Sequence, residues 1–470
     1  MMVGAIAPGP ASSAPGRRPP QAVVALIDSG INPYSVAFRD RSALARRHPS
    51  SYIPGYPKDA QALRLSLDLP YEKAVEADAD IWRSVRRNVL YWIPGTRIVG
   101  AITKGNGGTN CPVVAAPPAN SVGGGDCEEH PILDDHGHGT MTASRAAGAP
   151  SSLAPTARIV AIEGLGGASV EWAAEQGWID VQSNSWINLV PPPIPGSTTS
   201  AFSRAAARML TLAASGNGTA YLAGVAPTPT YLLSTAPPGV VLVGGHDNGK
   251  MTLWAGAPPH VVADAYAGMA AISTSNEKMR PDPIACCTSA ASPYAAGGAT
   301  AIVLEARRLL GENKVGIRDG VVACGRAPGV KKGPLADGVF TLQELKDVFL
   351  HTAVAHPAEG RDDGDVHWMG EPRAPDHVEY GLGSNPFCAG CTTLPISWAS
   401  IPAEGDATYP FLGFGGINEE SLTLAREVLV GMAPLPERAN ATAQYELDQQ
   451  LRSAFFAAND LETEVPEASC

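Results

Sequence analysis

Four short apolar runs recur along the chain and constrain its fold more than any other feature. They span residues 22–27, 158–162, 209–214 and 240–243. Runs of this length, rich in valine, leucine and isoleucine, are typical of strands buried on both faces of a parallel sheet. Stretches with helical spacing lie between or after them, at residues 71–87, 140–147, 169–175, 201–208 and 290–310. We therefore predict an α/β fold in which helices sandwich a parallel β-sheet.

Two segments interrupt this alternation. The charge-rich residues 34–89, which include the predicted helix over 71–87, are predicted to form a large insertion, and residues 91–100 to return to the sheet. A second irregular insertion is predicted at residues 356–410, before a closing glycine-rich turn and a helix over residues 420–430. The predicted domains are a disordered N-terminal extension (1–20), one domain with both insertions (21–432) and an acidic tail (433–470).

Net charge and hydropathy limit the partners. The formal net charge of -12 argues against nucleic acid and anionic membrane surfaces as partners. No run of about 18 apolar residues is present, so we expect no membrane-spanning helix. The first 20 residues lack the apolar core of a secretory signal.

The eight cysteines favour an oxidising compartment. Their count is even and most lie in predicted loops, which suits disulfides, although free thiols remain the alternative. A zinc site is less favoured because only one CxxC pair, Cys388 and Cys391, is present. We expect a secreted or cell-envelope protein, with a cytoplasmic one as the alternative.

Three distant motifs each hold one residue of a nucleophilic triad. They are Ile27-Asp28-Ser29-Gly30, Gly137-His138-Gly139-Thr140 and Thr288-Ser289-Ala290-Ala291-Ser292-Pro293. Serine is a poor nucleophile until a base takes its proton, and an acid must fix the tautomer of that base. Plain alternatives exist: a strand-end turn at Asp28, a structural histidine, and a helix-capping serine at 289.

The immediate surroundings of these residues fit catalysis. Asp28 would end a parallel strand, where catalytic groups of α/β sheets gather. Ser289 would lie at a helix N-terminus, where the helix dipole favours negative charge, and Pro293 is predicted in the first turn of that helix. His130, Asp134, Asp135 and His136 suggest a metal cluster, which we disfavour because a catalytic base must be free to accept protons.

In their order and flanking residues, the three motifs resemble the subtilisin-like serine proteases (subtilases, peptidase S8 family). The resemblance implies a subtilisin-like fold and catalytic roles for Asp28, His138 and Ser289. It also implies that Asn217, which follows an apolar strand, binds the oxyanion. The implied substrate-binding residues are Ser185, Trp186, Ile187, Ala214, Ser215 and Gly216. The related sedolisins use Glu in place of His and Asp in place of Asn, so His138 and Asn217 favour the subtilases.

The chain also departs from the family pattern. Cys287 stands where the family usually has glycine before the Thr-Ser pair, and Ile187 stands where a small residue is usual. The segment after His138 is too short for the loop that often builds the strong calcium site, although other calcium sites stay open.

The combined interpretation is a serine endopeptidase that acts on polypeptides, most simply as a monomer, without a cofactor or catalytic metal. One alternative is a catalytically impaired pseudoprotease that binds peptides, because Cys287 and Ile187 would obstruct the cleft. Another is a dedicated processing protease or transpeptidase, in which the insertions restrict access to one partner peptide.

Overall fold

The computed structural model describes most of the predicted domain. The described residues are 20–104, 131–134, 137–149, 152–186, 198–215, 239–246, 252–253, 260–264, 287–312, 316–354, 367–368 and 414–437. Within them, no helix is long and apolar enough to cross a membrane.

Strands in the described ranges build one large sheet and two small ones. In chain order they are β1 (Val23–Asp28), β2 (Gln61–Ala62), β3 (Tyr91–Trp92), β4 (Ile98–Thr103), β5 (Arg158–Glu163), β6 (Val181–Asn184), β7 (Leu210–Ala214), β8 (Val241–His246), β9 (Thr252–Leu253), β10 (Val261–Asp264), β11 (Val321–Cys324), β12 (Val339–Thr341), β13 (His367–Trp368) and β14 (Gly416–Ile417). The large sheet has the order β14-β10-β8-β7-β6-β1-β5-β4-β3-β2, while β11 pairs with β12 and β13 with β9.

The large sheet is parallel except where β3 meets β4. Strand β1 lies between β5 and β6, with Asp28 opposite Glu163 and Ile27 opposite Asn184. All six residues of β1 are buried, as its apolar sequence predicts for a central strand. The sheet therefore delivers Asp28 to its carboxyl edge.

Helices flank this sheet, which confirms the predicted α/β class. They are α1 (Tyr71–Ala77), α2 (Ala79–Ser84), α3 (His138–Ala147), α4 (Gly167–Glu175), α5 (Thr198–Arg208), α6 (Cys287–Leu310), α7 (Leu342–His351) and α8 (Glu419–Leu429). Short 3₁₀ helices cover Val36–Phe38, Leu44–Arg46 and Pro49–Ser51. Helix α3 packs on α6, which lies across β6, β7, β8 and β10, whereas α4 pairs with α5.

The single helix predicted over residues 71–87 is wrong. The structure has two short helices that meet at Asp78 and end at Ser84. Asp78 is buried, and its carboxylate accepts hydrogen bonds from the Tyr34 hydroxyl at 2.7 Å and from Ser66 at 2.7 Å. These bonds hold Asp78 between the two helices. The hydrophobic periodicity of residues 71–87 does not predict them, because their partners lie elsewhere in the chain.

A fully buried ion pair anchors the end of α6. Arg307 donates to both carboxylate oxygens of Asp180, at 2.6 and 2.9 Å, and neither side chain is exposed. The same carboxylate accepts the backbone N–H groups of Val23 and Gly316 at 2.8 Å. Asp180 thus joins the start of β1 to the segment that follows α6.

Cysteine pairing is described at one position. Cys324, at the end of β11, is disulfide-bonded. The cysteines at 111, 127, 286, 388, 391 and 470 lie outside the described residues, as does the second predicted insertion apart from β13. The predicted oxidising compartment stays a prediction.

Candidate active site

Asp28 and His138 are in direct contact at the carboxyl edge of the sheet. His138 Nδ1 lies 2.7 Å from Asp28 Oδ1, and the carboxylate side chain is only 5% exposed against 26% for the imidazole. Because an ionised carboxylate accepts hydrogen bonds only, Nδ1 carries the proton and donates it. The neutral ring then has its lone pair on Nε2, the tautomer that a general base requires.

Other donors hold the Asp28 carboxylate. The Ser29 backbone N–H donates to Oδ1 at 2.8 Å, and the Thr142 hydroxyl lies 3.3 Å from Oδ2. Burial favours the neutral carboxyl group, but the charge and hydrogen bond of His138, aided by Ser29 and Thr142, lower the pKa of Asp28 below its ordinary value. The group is therefore ionised at neutral pH and able to stabilise an imidazolium.

The two glycine-marked motifs meet backbone to backbone. A Cβ atom on Gly139 would lie 2.2 Å from the carbonyl oxygen of Gly30, a distance no side chain tolerates. Gly30 itself has a φ of 111°, in the region that favours glycine. These glycines let α3 begin directly against the end of β1, which brings His138 within reach of Asp28.

Asp134 holds the start of α3. Its carboxylate accepts the backbone N–H groups of Gly137 at 2.7 Å and Thr140 at 2.6 Å, and the Ser29 hydroxyl at 2.8 Å. Ser29 Oγ in turn accepts the N–H of Gly139 at 2.9 Å. Burial raises the pKa of Asp134 in spite of these hydrogen bonds. The backbone on both sides of His138 is thereby fixed.

Ser289 lies at the N-terminal end of α6, beside the helix that carries His138. Met141, one turn into α3, packs on Ala290 in a small buried cluster. Arg145, fully buried in α3, points Nε at the Ala290 carbonyl oxygen at 3.4 Å, and its guanidinium stacks 4.4 Å from the Tyr294 ring centre. The contacts of Met141 and Arg145 in α3 with Ala290 and Tyr294 in α6 therefore hold the N-terminal ends of the two helices side by side.

The prediction that Pro293 lies in the first turn of its helix is wrong, because the structure places it in the second turn. The helix begins at Cys287, so Pro293 lies inside it. A proline has no N–H to donate to the carbonyl four residues earlier, which here belongs to Ser289. That carbonyl instead accepts the Ser185 hydroxyl at 2.8 Å, and the Ser289 hydroxyl donates to the Ser185 carbonyl at 3.2 Å. Because the helix does not satisfy the Ser289 carbonyl, that group is free to bond Ser185, and the two hydrogen bonds join Ser289 to the end of β6.

The comparison with protein families decides the identity of this scaffold. The model of the subtilase family (Peptidase_S8) matches residues 20–367. The chain belongs to the subtilase family. Its members are serine proteases, and the matched residues include all three motifs. No curated protein sequence matches the chain significantly.

The solved structures that match the chain are distant from it in sequence. The epidermin leader peptide processing serine protease EpiP of Staphylococcus aureus, solved as a point mutant, is 13% identical, with a TM-score of 0.31, over 62% of this chain and 67% of its own. A lanthipeptide protease is 14% identical, with a TM-score of 0.37, over 73% of this chain and 84% of its own. Sphericase is 17% identical, with a TM-score of 0.25, over 38% of this chain and 66% of its own.

The remaining predicted site residues of this subtilase fall into two groups. Asn217, Ile187 and Gly216 lie outside the described residues. Trp186 donates Nε1–H to the Ile27 carbonyl at 2.9 Å and packs edge-on against Phe202, so its ring supports the sheet. Ala214 and Ser215 are buried at the end of β7. Their predicted contacts with substrate stay predictions.

Sequence reasoning missed three supporting residues. The sequence presents Asp134 only as a possible metal ligand, yet its carboxylate accepts the backbone N–H groups of Gly137 and Thr140. Within the described ranges, no group of three or more His, Cys, Asp or Glu side chains could hold a metal ion. For Thr142 and Arg145 the sequence predicts only that they belong to a helix. The signal for Asp134 was its place four residues before His138, at a predicted helix start, where a carboxylate can accept backbone N–H groups.

Proposed function

We propose that this subtilase is a serine endopeptidase that cleaves polypeptides through an acyl-enzyme. Ser289 attacks the scissile carbonyl, while His138 takes the serine proton and later gives it to the leaving amine. Asp28 orients the ring and stabilises the imidazolium. Asn217 and the backbone N–H of Ser289 would stabilise the oxyanion.

One observation carries the proposal: the 2.7 Å contact between His138 Nδ1 and Asp28, next to the helix that carries Ser289 in its first turn. A buried carboxylate with a lowered pKa, bonded to the inner nitrogen of a quarter-exposed imidazole, gives the ring a proton-accepting face towards solvent.

The nucleophile needs one small movement. The Ser289 hydroxyl donates to the Ser185 carbonyl at 3.2 Å, a long and therefore weak bond. The proposal requires that rotation about its Cα–Cβ bond exchange this acceptor for the imidazole. Catalytic hydrogen bonds often tighten only when substrate is bound, so this geometry suits a resting protease.

The end of β6 offers main-chain groups to an extended substrate. Its last strand residue, Asn184, pairs with β1 and β7, and the following Ser185 contacts Ser289 in both directions. A peptide that adds to this segment as a further strand would bring its scissile bond to the serine. Recognition through main-chain bonds accounts for action on polypeptides as a class.

A peptide library with product masses tests the proposal. The wild-type chain should cleave internal peptide bonds, with the two products together heavier than the substrate by one water. Ser289→Ala and His138→Ala should lose this activity, whereas Ser84→Ala, on the exposed end of α2, should keep it. Cleavage by Ser289→Ala at the wild-type rate, or no cleavage by folded wild type, would refute the proposal.

A further inference from the structure

A cavity on the molecule lies far from the candidate active site. Its volume is about 850 Å³, and its walls come from α6, α8 and the segments around residues 39–47 and 149–158. Gln21 and Arg158 line it at the amino ends of β1 and β5, whereas Asp28 lies at the carboxyl end of β1. Six strand residues at about 3.3 Å each separate the cavity from Asp28 by roughly 20 Å.

The lining combines an apolar floor with a positive rim. Four half-buried leucines, Leu44, Leu153, Leu304 and Leu422, contribute to the floor. Two carboxylates, those of Asp40 and Glu305, and six arginines also line the cavity: Arg39, Arg47, Arg97, Arg158, Arg308 and Arg426. Arg97 and Arg158 are buried, Arg158 pairs with Asp40, and Arg308 and Arg426 share Glu305, so the lining keeps a net positive charge. An occupant that matches this surface is amphipathic and acidic.

The C-terminal tail of this chain has that chemistry. Residues 440–470 hold six carboxylates and one arginine. Leu447, Leu451, Phe455 and Ala458 recur at helical spacing within it, which predicts a helix over residues 445–458, about 21 Å long, with an apolar stripe. We propose that this tail docks its apolar stripe into the cavity, with its carboxylates on the arginine rim.

The position of the chain end supports this assignment. Helix α8, which contributes Leu422, Ala425, Arg426 and Leu429 to the cavity wall, is the last helix before the tail. The described chain stops at Glu437, eight residues after α8, where the Pro436 carbonyl accepts a hydrogen bond from His351 Nδ1 at 2.8 Å. Helix α8 is only about 16 Å long, so the 33 residues that follow Glu437 are long enough to return along it to this wall. The N-terminal extension also enters here, at Pro20, but its charged residues are Arg17 and Arg18, which the positive rim would repel.

Photo-cross-linking in the full chain tests the docking. A benzophenone amino acid replaces Phe455 in a Ser289→Ala background, which prevents self-cleavage and makes the result independent of the proposed protease activity. The expected cross-links join residue 455 to peptides that contain Leu304 or Leu422 of the same chain. Leu447→Asp combined with Leu451→Asp should reduce their yield at least tenfold, because both changes place charge on the apolar stripe.

Three outcomes would overturn the proposal. They are cross-links confined to other surfaces, cross-links only between two copies of the chain, and cross-links unaffected by Leu447→Asp with Leu451→Asp. A matched probe at Ala14 reports on the competing N-terminal extension, and capture of the cavity peptides by this probe alone would assign the cavity to it. A second measurement needs no probe: deletion of residues 440–470 should lower the thermal midpoint, and Arg47→Glu, at an exposed arginine of the lining, should lower it in the full chain but not in the truncated one.

Discussion

At the scale of single residues, the geometry of the candidate site depends on the hydrogen-bond partners of its two buried carboxylates. Asp28 accepts the hydrogen bond of the His138 imidazole and thereby selects its tautomer, while Asp134 accepts backbone N–H groups at the start of α3. Two carboxylates thus have different tasks. Burial raises the pKa of Asp134 in spite of its hydrogen bonds, whereas at Asp28 the charge and hydrogen bond of His138 help to outweigh burial and lower the pKa.

The two hydrogen bonds between Ser185 and Ser289 lead to a prediction at the scale of single residues. Ser185→Ala leaves the Ser289 carbonyl without its donor, which costs about 1–3 kcal/mol for a buried acceptor and loosens the nucleophile. We expect kcat to fall about tenfold or more. Pro293→Ala supplies a backbone N–H to the same carbonyl, so the loss caused by Ser185→Ala should be smaller in the Pro293→Ala background.

A double-mutant cycle of kcat and of unfolding free energy measures this coupling. Ser203→Ala, a buried serine of α5 away from the site, serves as the matched control and should not couple to Pro293→Ala. Additive effects of Ser185→Ala and Pro293→Ala would show that the proline does not govern the serine carbonyl.

Sequence alone identified the three candidate triad residues but not the residues that support them. Asp28, His138 and Ser289 are visible because each lies in a short motif whose glycines or small residues have a physical reason, such as the contact of Gly139 with Gly30. Arg145 is invisible because its partners, Ala290 and Tyr294, are far away in the chain. The contact of Asp134 with Ser29 likewise spans 105 positions. Long-range contacts of this kind leave no local pattern.

At the scale of elements, the parallel strands were predictable and the breaks between helices were not. The apolar run at residues 22–27 differs from β1 by one residue at each end, because the pattern of burial fixes the strand. The break at Asp78 follows from bonds to Tyr34 and Ser66, which no period of hydrophobicity contains. Tertiary hydrogen bonds override local helix propensity there.

The junction of β8, β10 and β14 makes an element-scale prediction about pH. His260, at the start of β10, is buried, accepts the Leu242 N–H on Nδ1 at 2.9 Å, and its carbonyl accepts the Phe414 N–H at 2.7 Å. Burial lowers the pKa of His260 from 6.5 to about 4. Between those two pH values His260 is protonated in the unfolded chain but neutral in the folded chain. The free energy of unfolding therefore falls as the pH falls through this window.

The size of the effect follows from the shift in pKa. A shift of this size corresponds to about 3 kcal/mol of unfolding free energy between pH 6.5 and pH 4. His260→Asn, whose side-chain oxygen can still accept the Leu242 N–H, should remove most of that slope. Denaturant titrations of both proteins across this range measure it. An unchanged slope in the variant would assign the pH dependence to other groups.

At the scale of the whole molecule, the candidate active site and the buried ion pair lie at opposite ends of the central strands. Asp28 and His138 meet at the carboxyl edge, while Asp180 and Arg307 join the opposite ends of β1 and β6 to the end of α6. Because α6 carries Ser289 at its start and Arg307 near its end, one helix connects the two edges. The family assignment, which covers residues 20–367, includes both.

Loss of Arg307 should therefore destabilise the molecule without altering the chemistry of the site. Arg307→Met leaves the Asp180 carboxylate buried without its cation, which typically costs about 3–5 kcal/mol. Arg83→Met, which removes an exposed ion pair with Asp80, should cost less than about 1 kcal/mol. Chemical denaturation compares the two, and a double variant with Asp180→Asn, which removes the unpaired charge and keeps an acceptor for the N–H groups of Val23 and Gly316, should recover part of the loss. Equal costs for both single variants would contradict the predicted role of the buried pair.

The most direct test of the central claim is the labelling of Ser289 by a fluorophosphonate, with the adduct located by peptide mass mapping. The reagent reacts only with a serine whose hydroxyl a neighbouring base activates. We predict one adduct on the peptide that contains Ser289. The adduct should be absent in Ser289→Ala and strongly reduced in Asp28→Asn. It should be retained in the control variant Ser292→Ala, which changes a buried serine of the same helix. A folded wild-type chain that takes no label, or that takes it on another serine when Ser289 is replaced, would contradict the account.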